Sequence, residues 1–275
     1  MCPEPVDDRV STMLHYRTHG APDRPPLCFL HGFMGAGSDW APVVSALETD
    51  VFSLTVDLPG HGDSLGRPDH LYCMEGATQA LADVLDDAGI DRCTLVGYSM
   101  GGRAALYFAL FHPDRVHRLV LESVFPGIEG DEARARRRAV DAERARRIRE
   151  DLDAFLRDWY RMPLFASLER HGLVEDMVAR RRANDPDELA RALRGLSPGR
   201  QPPLWDRLRD LSAPTLVLTG ALDEKYTDTT AQAYMQIPDA RRVLVPRAGH
   251  NVHAERPQAF LAHLADFLRT TAPSP

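Results

Sequence analysis

Short apolar runs bounded by glycine, proline and aspartate recur along the chain, at residues 26–30, 51–56, 94–96, 116–121, 215–218 and 243–245. Between most of them the apolar positions return with helical spacing, as at 74–88, 102–111 and 227–236. Strands alternating with helices predict an α/β fold, with a mostly parallel, doubly wound sheet covered on both faces. Residues 10–18 are expected to add an antiparallel opening strand. The alternation stops after Val120-Leu121-Glu122. From about Pro126 to Pro203 the sequence is helix-rich, highly charged and free of strand runs, and strands resume at Thr215. An insertion of this kind cannot join the sheet, so a helical lid is expected at 124–206, between core segments 1–123 and 207–275. Ligands of open α/β sheets bind beyond the carboxyl ends of the strands, which puts the lid over that crevice.

One strand-to-helix junction carries chemistry. Gly97-Tyr98-Ser99-Met100-Gly101 follows the apolar run Cys93-Thr94-Leu95-Val96 and precedes a helical pattern from Arg103. Glycines flank the corner because a strained backbone leaves no room for side chains, and the strain lifts the Ser99 hydroxyl clear of the sheet edge. Two later strand ends supply partners. One runs through Gly220-Ala221-Leu222 into Asp223, the other through Pro246-Arg247-Ala248-Gly249 to His250. The order serine, acid, histidine, each past a carboxyl strand end, is that of the α/β-hydrolase fold, with Ser99, Asp223 and His250 as the triad. Oxyanion stabilisation then needs two backbone N–H groups. Met100 follows the serine, and Phe33 lies in the loop His31-Gly32-Phe33-Met34-Gly35. His31 reads as a loop-packing residue, and the stretch from Asp57 to Ser64 as a shaped turn whose polar side chains carry no assigned chemistry.

Composition narrows the partners. A chain of 275 residues buries one large α/β core with a smaller subdomain added. No run of about 20 apolar residues is present to span a bilayer. The start, Met1-Cys2-Pro3-Glu4-Pro5-Val6-Asp7-Asp8, lacks the basic-then-apolar layout of a signal peptide. A cytoplasmic protein without membrane insertion is expected, as a monomer or small homo-oligomer. Cys2, Cys28, Cys73 and Cys93 have no metal-ligand spacing, so disulfides, metal and cofactor are not expected. A net charge of -7 argues against nucleic acid, whose binding relies on basic surface. The charge is uneven, because 14 arginines face 11 acidic residues between Asp131 and Arg182. Lys225 is the single lysine among 33 basic residues.

Arg103 lies four residues after Ser99 on one helical face, so its guanidinium can approach the cavity beneath the lid. Burying it beside a neutral ester is costly, whereas a substrate carboxylate offsets the desolvation. The alternative turns Arg103 sideways into a salt bridge with a neighbouring loop. The run Gly97-Tyr98-Ser99-Met100-Gly101-Gly102-Arg103 resembles that of the 2-succinyl-6-hydroxy-2,4-cyclohexadiene-1-carboxylate synthases, menaquinone-pathway members of the α/β-hydrolase superfamily. The resemblance covers nearly the whole chain. It includes Leu30-His31-Gly32-Phe33-Met34-Gly35 with Asp39-Trp40, Asp57-Leu58-Pro59-Gly60-His61-Gly62, and, near the end, Asp223-Glu224-Lys225-Tyr226 and Gly249-His250-Asn251-Val252-His253. In the lid it includes Arg137-Arg138-Ala139-Val140-Asp141, Trp159-Tyr160 and Ser197-Pro198-Gly199-Arg200-Gln201-Pro202-Pro203, where Arg200 departs from the pattern. The lid motifs discriminate, because the core motifs occur throughout the superfamily.

The resemblance implies a lyase that removes a proton from 2-succinyl-5-enolpyruvyl-6-hydroxy-3-cyclohexene-1-carboxylate and expels pyruvate, consuming no water. Ser99 then serves as a base through His250, with Asp223 fixing the imidazole tautomer. The N–H groups of Phe33 and Met100 meet negative charge developing on the carboxylate side of the substrate. Carried over by motif position, Arg103, Arg137 and Arg181 meet the carboxylates of a small polycarboxylate substrate, Arg180 and Arg182 competing with Arg181 for its place. Tyr98, Trp159 and Tyr160 line the pocket, and Lys225 matches a lysine of the family pattern. On the residues alone two other classes stay open. One is a hydrolase of esters, or of carbon–carbon bonds in acidic substrates, using the same triad; the other is a noncatalytic ligand receptor that has kept the fold.

Overall fold

The computed structural model describes residues 12–271. Its sheet has strands β1 (Tyr16–His19), β2 (Pro26–Leu30), β3 (Phe52–Val56), β4 (Cys93–Tyr98), β5 (Val116–Glu122), β6 (Thr215–Gly220) and β7 (Ala240–Val245), in the order β1-β3-β2-β4-β5-β6-β7. β1 pairs antiparallel with β3, and every other neighbouring pair is parallel. The opening strand expected at 10–18 thus starts only at Tyr16 and runs to His19; residues 10 and 11, like Cys2, lie outside the described residues. β3, β4 and β6 are buried at every position, because helices cover both faces of a parallel sheet and leave no polar side to the strands. The edge strands β1 and β7 carry Arg17, His19, Arg241 and Arg242, polar positions that suit a half-exposed edge.

The helices among the described residues are α1 (Ala41–Leu47), α2 (Met74–Asp87), α3 (Met100–Phe111), α4 (Asp131–Glu150), α5 (Leu152–Tyr160), α6 (Ala166–Arg170), α7 (Val174–Arg181), α8 (Pro186–Gly195), α9 (Glu224–Tyr234), α10 (Val252–Glu255) and α11 (Pro257–Thr270). Alternate residues of β2 serve opposite faces. Cys28 and Leu30 join the cluster built with Leu81 of α2 and Phe108 of α3. Leu27 and Phe29 join the one built with Val43 of α1 and Phe260 and Phe267 of α11. Helices α4 to α8 lie between β5 and β6 and have an apolar cluster of their own, with Ile148, Phe155, Leu156, Leu168 and Leu189. Met34, from the loop after β2, belongs to that cluster and ties the cap helices to the sheet.

The strand order reverses at β2, with β3 on one side and β4 on the other. Loops leaving the carboxyl ends of β2 and β4 therefore diverge and leave a crevice. The corner at Ser99 opens into it. Ser99 sits at φ 50°, ψ −106°, a conformation that residues with a side chain rarely adopt. What holds it is close packing of backbone. A Cβ on Gly101 would lie 2.5 Å from the carbonyl oxygens of both Leu30 and His31, and one on Gly97 would lie 2.6 Å from the Gly101 oxygen. Gly101→Ala is therefore expected to push α3 off β2 and to destabilise the protein by about 2 kcal/mol, within the usual range for overpacking. A denaturant midpoint unchanged from wild type would contradict this.

Candidate active site

The three strand ends bring Ser99, Asp223 and His250 together. The His250 Nε2 is 3.1 Å from the Ser99 Oγ, and its Nδ1 is 2.6 Å from the Asp223 Oδ2. Since an ionised carboxylate only accepts, the ring holds its proton on Nδ1 and offers Nε2 to the serine. Asp223 caps the start of α9, where its Oδ1 accepts the Tyr226 N–H at 3.2 Å. The acid and the histidine are both buried. Aromatic rings box the imidazole, with Tyr226 at 4.5 Å, Tyr98 at 5.5 Å and Phe165 edge-on at 5.9 Å between centroids. Burial and then the Asp223 charge push the Tyr226 phenol up to about 12, so it stays neutral beside the triad.

A cavity of about 370 Å³ opens over the serine. Phe33, Met100, Tyr98, Arg103, Arg137, Trp159, Tyr160, Arg181 and Lys225 all line it together with Ser99 and His250, while Asp223 stands behind the imidazole. Met100 is the first residue of α3, so its N–H has no partner within the helix. Val140, Pro163 and Leu193 are among the apolar residues of the wall on the cap side.

Charge in this cavity is one-sided: among the described residues five cations line it, Arg103, Arg137, Arg144, Arg181 and Lys225, and no carboxylate does. Arg103 turns toward the loop after α8, but its acceptors are neutral, the Gln201 Oε1 at 2.7 Å and the Leu196 carbonyl at 2.9 Å. Burial, and then repulsion from Arg137, lower it to about 10. Arg137 and Arg144 share a single carboxylate, Asp141, at 2.8 and 3.3 Å. Asp141 is itself buried behind the wall and also accepts the Ser197 hydroxyl at 2.7 Å. Lys225 is lowered by desolvation first and by Arg137 second. Even with Asp223 counted against it, the group of five cations keeps a surplus of two positive charges over Asp39, Asp141 and Asp223.

Arg181 differs from the other four. It makes a bidentate pair with Asp39, 2.8 and 2.7 Å, so its charge is already answered. Burial opposes its protonated form, but Asp39 and then Tyr160 outweigh that and hold it above the ordinary arginine value. Of its two neighbours, Arg182 bonds Asp153 and Arg180 is exposed, and neither lines the cavity. Arg144 is the cation that sequence reasoning missed. It lies three residues after Asp141 and seven after Arg137 on one face of α4, and its guanidinium lies 5.2 Å from the Trp159 ring centre. The arginine density of α4 hid that face, since the helix has charges on every side. Tyr226 was visible within the Asp223-Glu224-Lys225-Tyr226 motif but had no role until its ring was found on His250.

Metal-ligand spacing occurs among the described residues in the group His15, Asp57 and Asp63, whose donor atoms lie within 4.8 Å of one another. Asp57 there already accepts the Gly37 N–H at 2.6 Å and the Asp63 N–H at 2.9 Å, and lies 2.9 Å from the His15 Nδ1. The arrangement braces two loops against β1.

A serine at a strained strand-to-helix corner, with an acid and a histidine at later strand ends, defines an α/β-hydrolase. The family model for the alpha/beta hydrolase fold matches residues 25–257. The 2-succinyl-6-hydroxy-2,4-cyclohexadiene-1-carboxylate synthase of Pectobacterium atrosepticum is 40% identical over 91% of this chain and 97% of its own. A putative synthase of the same name from Bacillus subtilis is 36% identical over 87% of this chain and 88% of its own. The structure of MenH from S. aureus superposes with a TM-score of 0.88 at 32% identity, covering 93% of this chain and 98% of that one. The chain belongs to the α/β-hydrolase family and, within it, to the group these synthases form.

The Asp39–Arg181 pair joins the loop after β2 to α7 and is nearly closed to solvent. Asp39→Asn is expected to leave the Arg181 charge buried without a counter-ion, at a cost of about 3 kcal/mol or more. Limited proteolysis would read this as faster cleavage within residues 131–195, and a cleavage rate equal to wild type would refute it.

Proposed function

We infer that this protein eliminates pyruvate from 2-succinyl-5-enolpyruvyl-6-hydroxy-3-cyclohexene-1-carboxylate to give 2-succinyl-6-hydroxy-2,4-cyclohexadiene-1-carboxylate, a step of menaquinone biosynthesis. The observation that carries the reading is the cavity wall, which among the described residues joins Ser99 and His250, backed by Asp223, to five cations and no carboxylate. The succinyl arm, the enolpyruvyl group and the ring each bring one carboxylate, and a trianion suits a wall with surplus positive charge.

The chemistry follows from the bonds that change. Ring carbon 2 bears the succinyl ketone, so its C–H is the acidic one. Ser99, polarised by His250, takes that proton and passes it to Nε2, and Asp223 stabilises the resulting imidazolium. The electron pair forms the double bond between carbons 2 and 3, the existing 3,4 double bond moves to 4,5, and the bond from carbon 5 to oxygen breaks. Charge that builds on the succinyl carbonyl oxygen in between meets the Phe33 and Met100 N–H groups. The departing enolpyruvate recovers the proton from His250 and becomes pyruvate, so no water enters and none leaves. Arg103 and Arg137 with Arg144 hold carboxylates. Arg181, committed to Asp39, shapes the wall and adds only its residual field.

No helix among the described residues is long and apolar enough to cross a membrane. Cys28, Cys73 and Cys93 are free thiols, a usage that supports placing the protein in the reducing cytoplasm.

Pyruvate release from the enolpyruvyl substrate, compared with cleavage of a p-nitrophenyl ester, tests the assignment; rapid ester cleavage without pyruvate would sink it. Ser99→Ala is expected to remove at least about 10³-fold of the pyruvate-releasing rate while substrate still binds. Arg144→Met removes a charge-assisted contact worth about 1.5–3 kcal/mol, so KM should rise about ten- to a hundredfold with kcat nearly kept. An unchanged KM would take Arg144 out of the binding site.

A further inference from the structure

Two loops meet beneath the oxyanion side of the cavity, one after β2 carrying Phe33 and one after β3 running from Asp57 to Gly62. Each sends a histidine ring into the other. The His31 Nε2 accepts the Leu58 N–H at 3.0 Å, and the His61 Nε2 accepts the Met34 N–H at 3.1 Å. The remaining ring nitrogens face carbonyl oxygens of their own loops, His31 Nδ1 to Gly32 at 2.7 Å and His61 Nδ1 to Pro59 at 3.0 Å. A carbonyl can only accept and a backbone N–H can only donate, so each ring carries its proton on Nδ1 and presents a bare Nε2. The rings are closed to solvent and lie 5.0 Å apart.

These bonds fall on the two peptide planes that flank Phe33. The Gly32 carbonyl and the Phe33 N–H belong to one planar trans unit and point in opposite directions. Holding that oxygen with the His31 Nδ1–H therefore aims the Phe33 N–H the other way. The Gly35 N–H, 3.0 Å from the same oxygen, adds to the hold. The next plane ends in the Met34 N–H, which His61 takes. Met34 is at φ 64°, a left-handed conformation that side-chain-bearing residues enter at a cost, so something must hold it there. From the cap, the Asn184 amide donates to the Met34 carbonyl at 3.0 Å and fixes its other side.

We propose that His31 and His61, as crossed neutral Nδ1–H tautomers, are the positioning residues of the oxyanion site, each fixing one of the two peptide planes that flank Phe33. The proposal rests on the reading of the Phe33 N–H as an oxyanion donor. Protonation of either Nε2 would evict the N–H it accepts, and the surroundings oppose it. Burial, followed by the nearby His31, lowers His61 to about 3, and Arg181 acts in the same direction against Asp57. His31 is lowered by burial too, against its Gly32 bond and the charges of Asp57 and Asp39.

Two measurements test this. In wild-type enzyme, nitrogen NMR of the imidazoles is expected to show Nδ1–H tautomers for both residues from pH 5 to 8. An Nε2–H tautomer or an imidazolium at either would overturn the proposal, whatever reaction the enzyme performs. Pyruvate release then compares His61→Gln, whose amide oxygen reaches the Nε2 position, with His61→Leu, which offers no acceptor. The expected result is kcat within about tenfold of wild type for the glutamine variant and about 10²-fold down for the leucine variant, with KM within about threefold in both. Circular dichroism confirms folding. A folded His61→Leu enzyme that keeps its kcat would overturn the proposal, whereas wild-type enzyme that releases no pyruvate would count against the functional reading and leave the tautomer result standing.

Discussion

Positive charge held in a cavity beneath the cap helices, its wall free of carboxylates among the described residues, is the constraint around which this molecule is arranged. Each neutralising acid stands behind the wall. Asp141 reaches Arg137 and Arg144 from inside the cap, Asp39 reaches Arg181 from the loop after β2, and Arg103 is held by an amide and a carbonyl that carry no charge. Burial first, and then repulsion from Arg137, lower both Arg103 and Lys225, which is the cost of holding like charges out of water. The cap helices bear it because their apolar cluster, with Met34 from the sheet side, holds them in place. In the proposed function an entering polyanion supplies the missing counter-charge, so that binding and electrostatic relief are the same event.

That arrangement also bears on why a hydrolase framework would carry out an elimination. The triad geometry is as suited to nucleophilic attack as to proton transfer, and nothing in the distances between Ser99, His250 and Asp223 separates the two. What separates them is where the substrate sits. In the proposed function, carboxylates anchored on Arg103 and on the α4 arginines fix the ring relative to Ser99, and the group closest to the hydroxyl then decides between attack on a carbonyl and removal of a proton. The proposed oxyanion donors, the Phe33 and Met100 N–H groups, would serve either route, because both place charge on a carbonyl oxygen.

Much of this was legible in the sequence, and the reasons are local. The continuous apolar runs of β3, β4 and β6 predict a buried parallel sheet because both their faces are covered. The corner at Gly97 to Gly101 is legible because close backbone packing admits only glycine at its flanks. Contacts between segments distant in the chain were not legible. That Asp39 answers Arg181 across 142 residues, that His61 takes the Met34 N–H, and that Tyr226 lies on His250 are outcomes of the fold with no periodicity to announce them. Arg144 fell between, since its spacing from Arg137 and Asp141 is a helical one, yet α4 is so dense in arginine that spacing alone picks out no face.

In the proposed elimination Ser99 moves a proton and forms no bond to substrate carbon. Turnover in water labelled with oxygen-18, read by mass spectrometry of the ring product and of the quenched enzyme, tests it directly. Elimination predicts a ring product equal to substrate less pyruvate, free of label, and an enzyme with no added mass at Ser99. A ring product that has gained labelled water, or an adduct on Ser99, would contradict it.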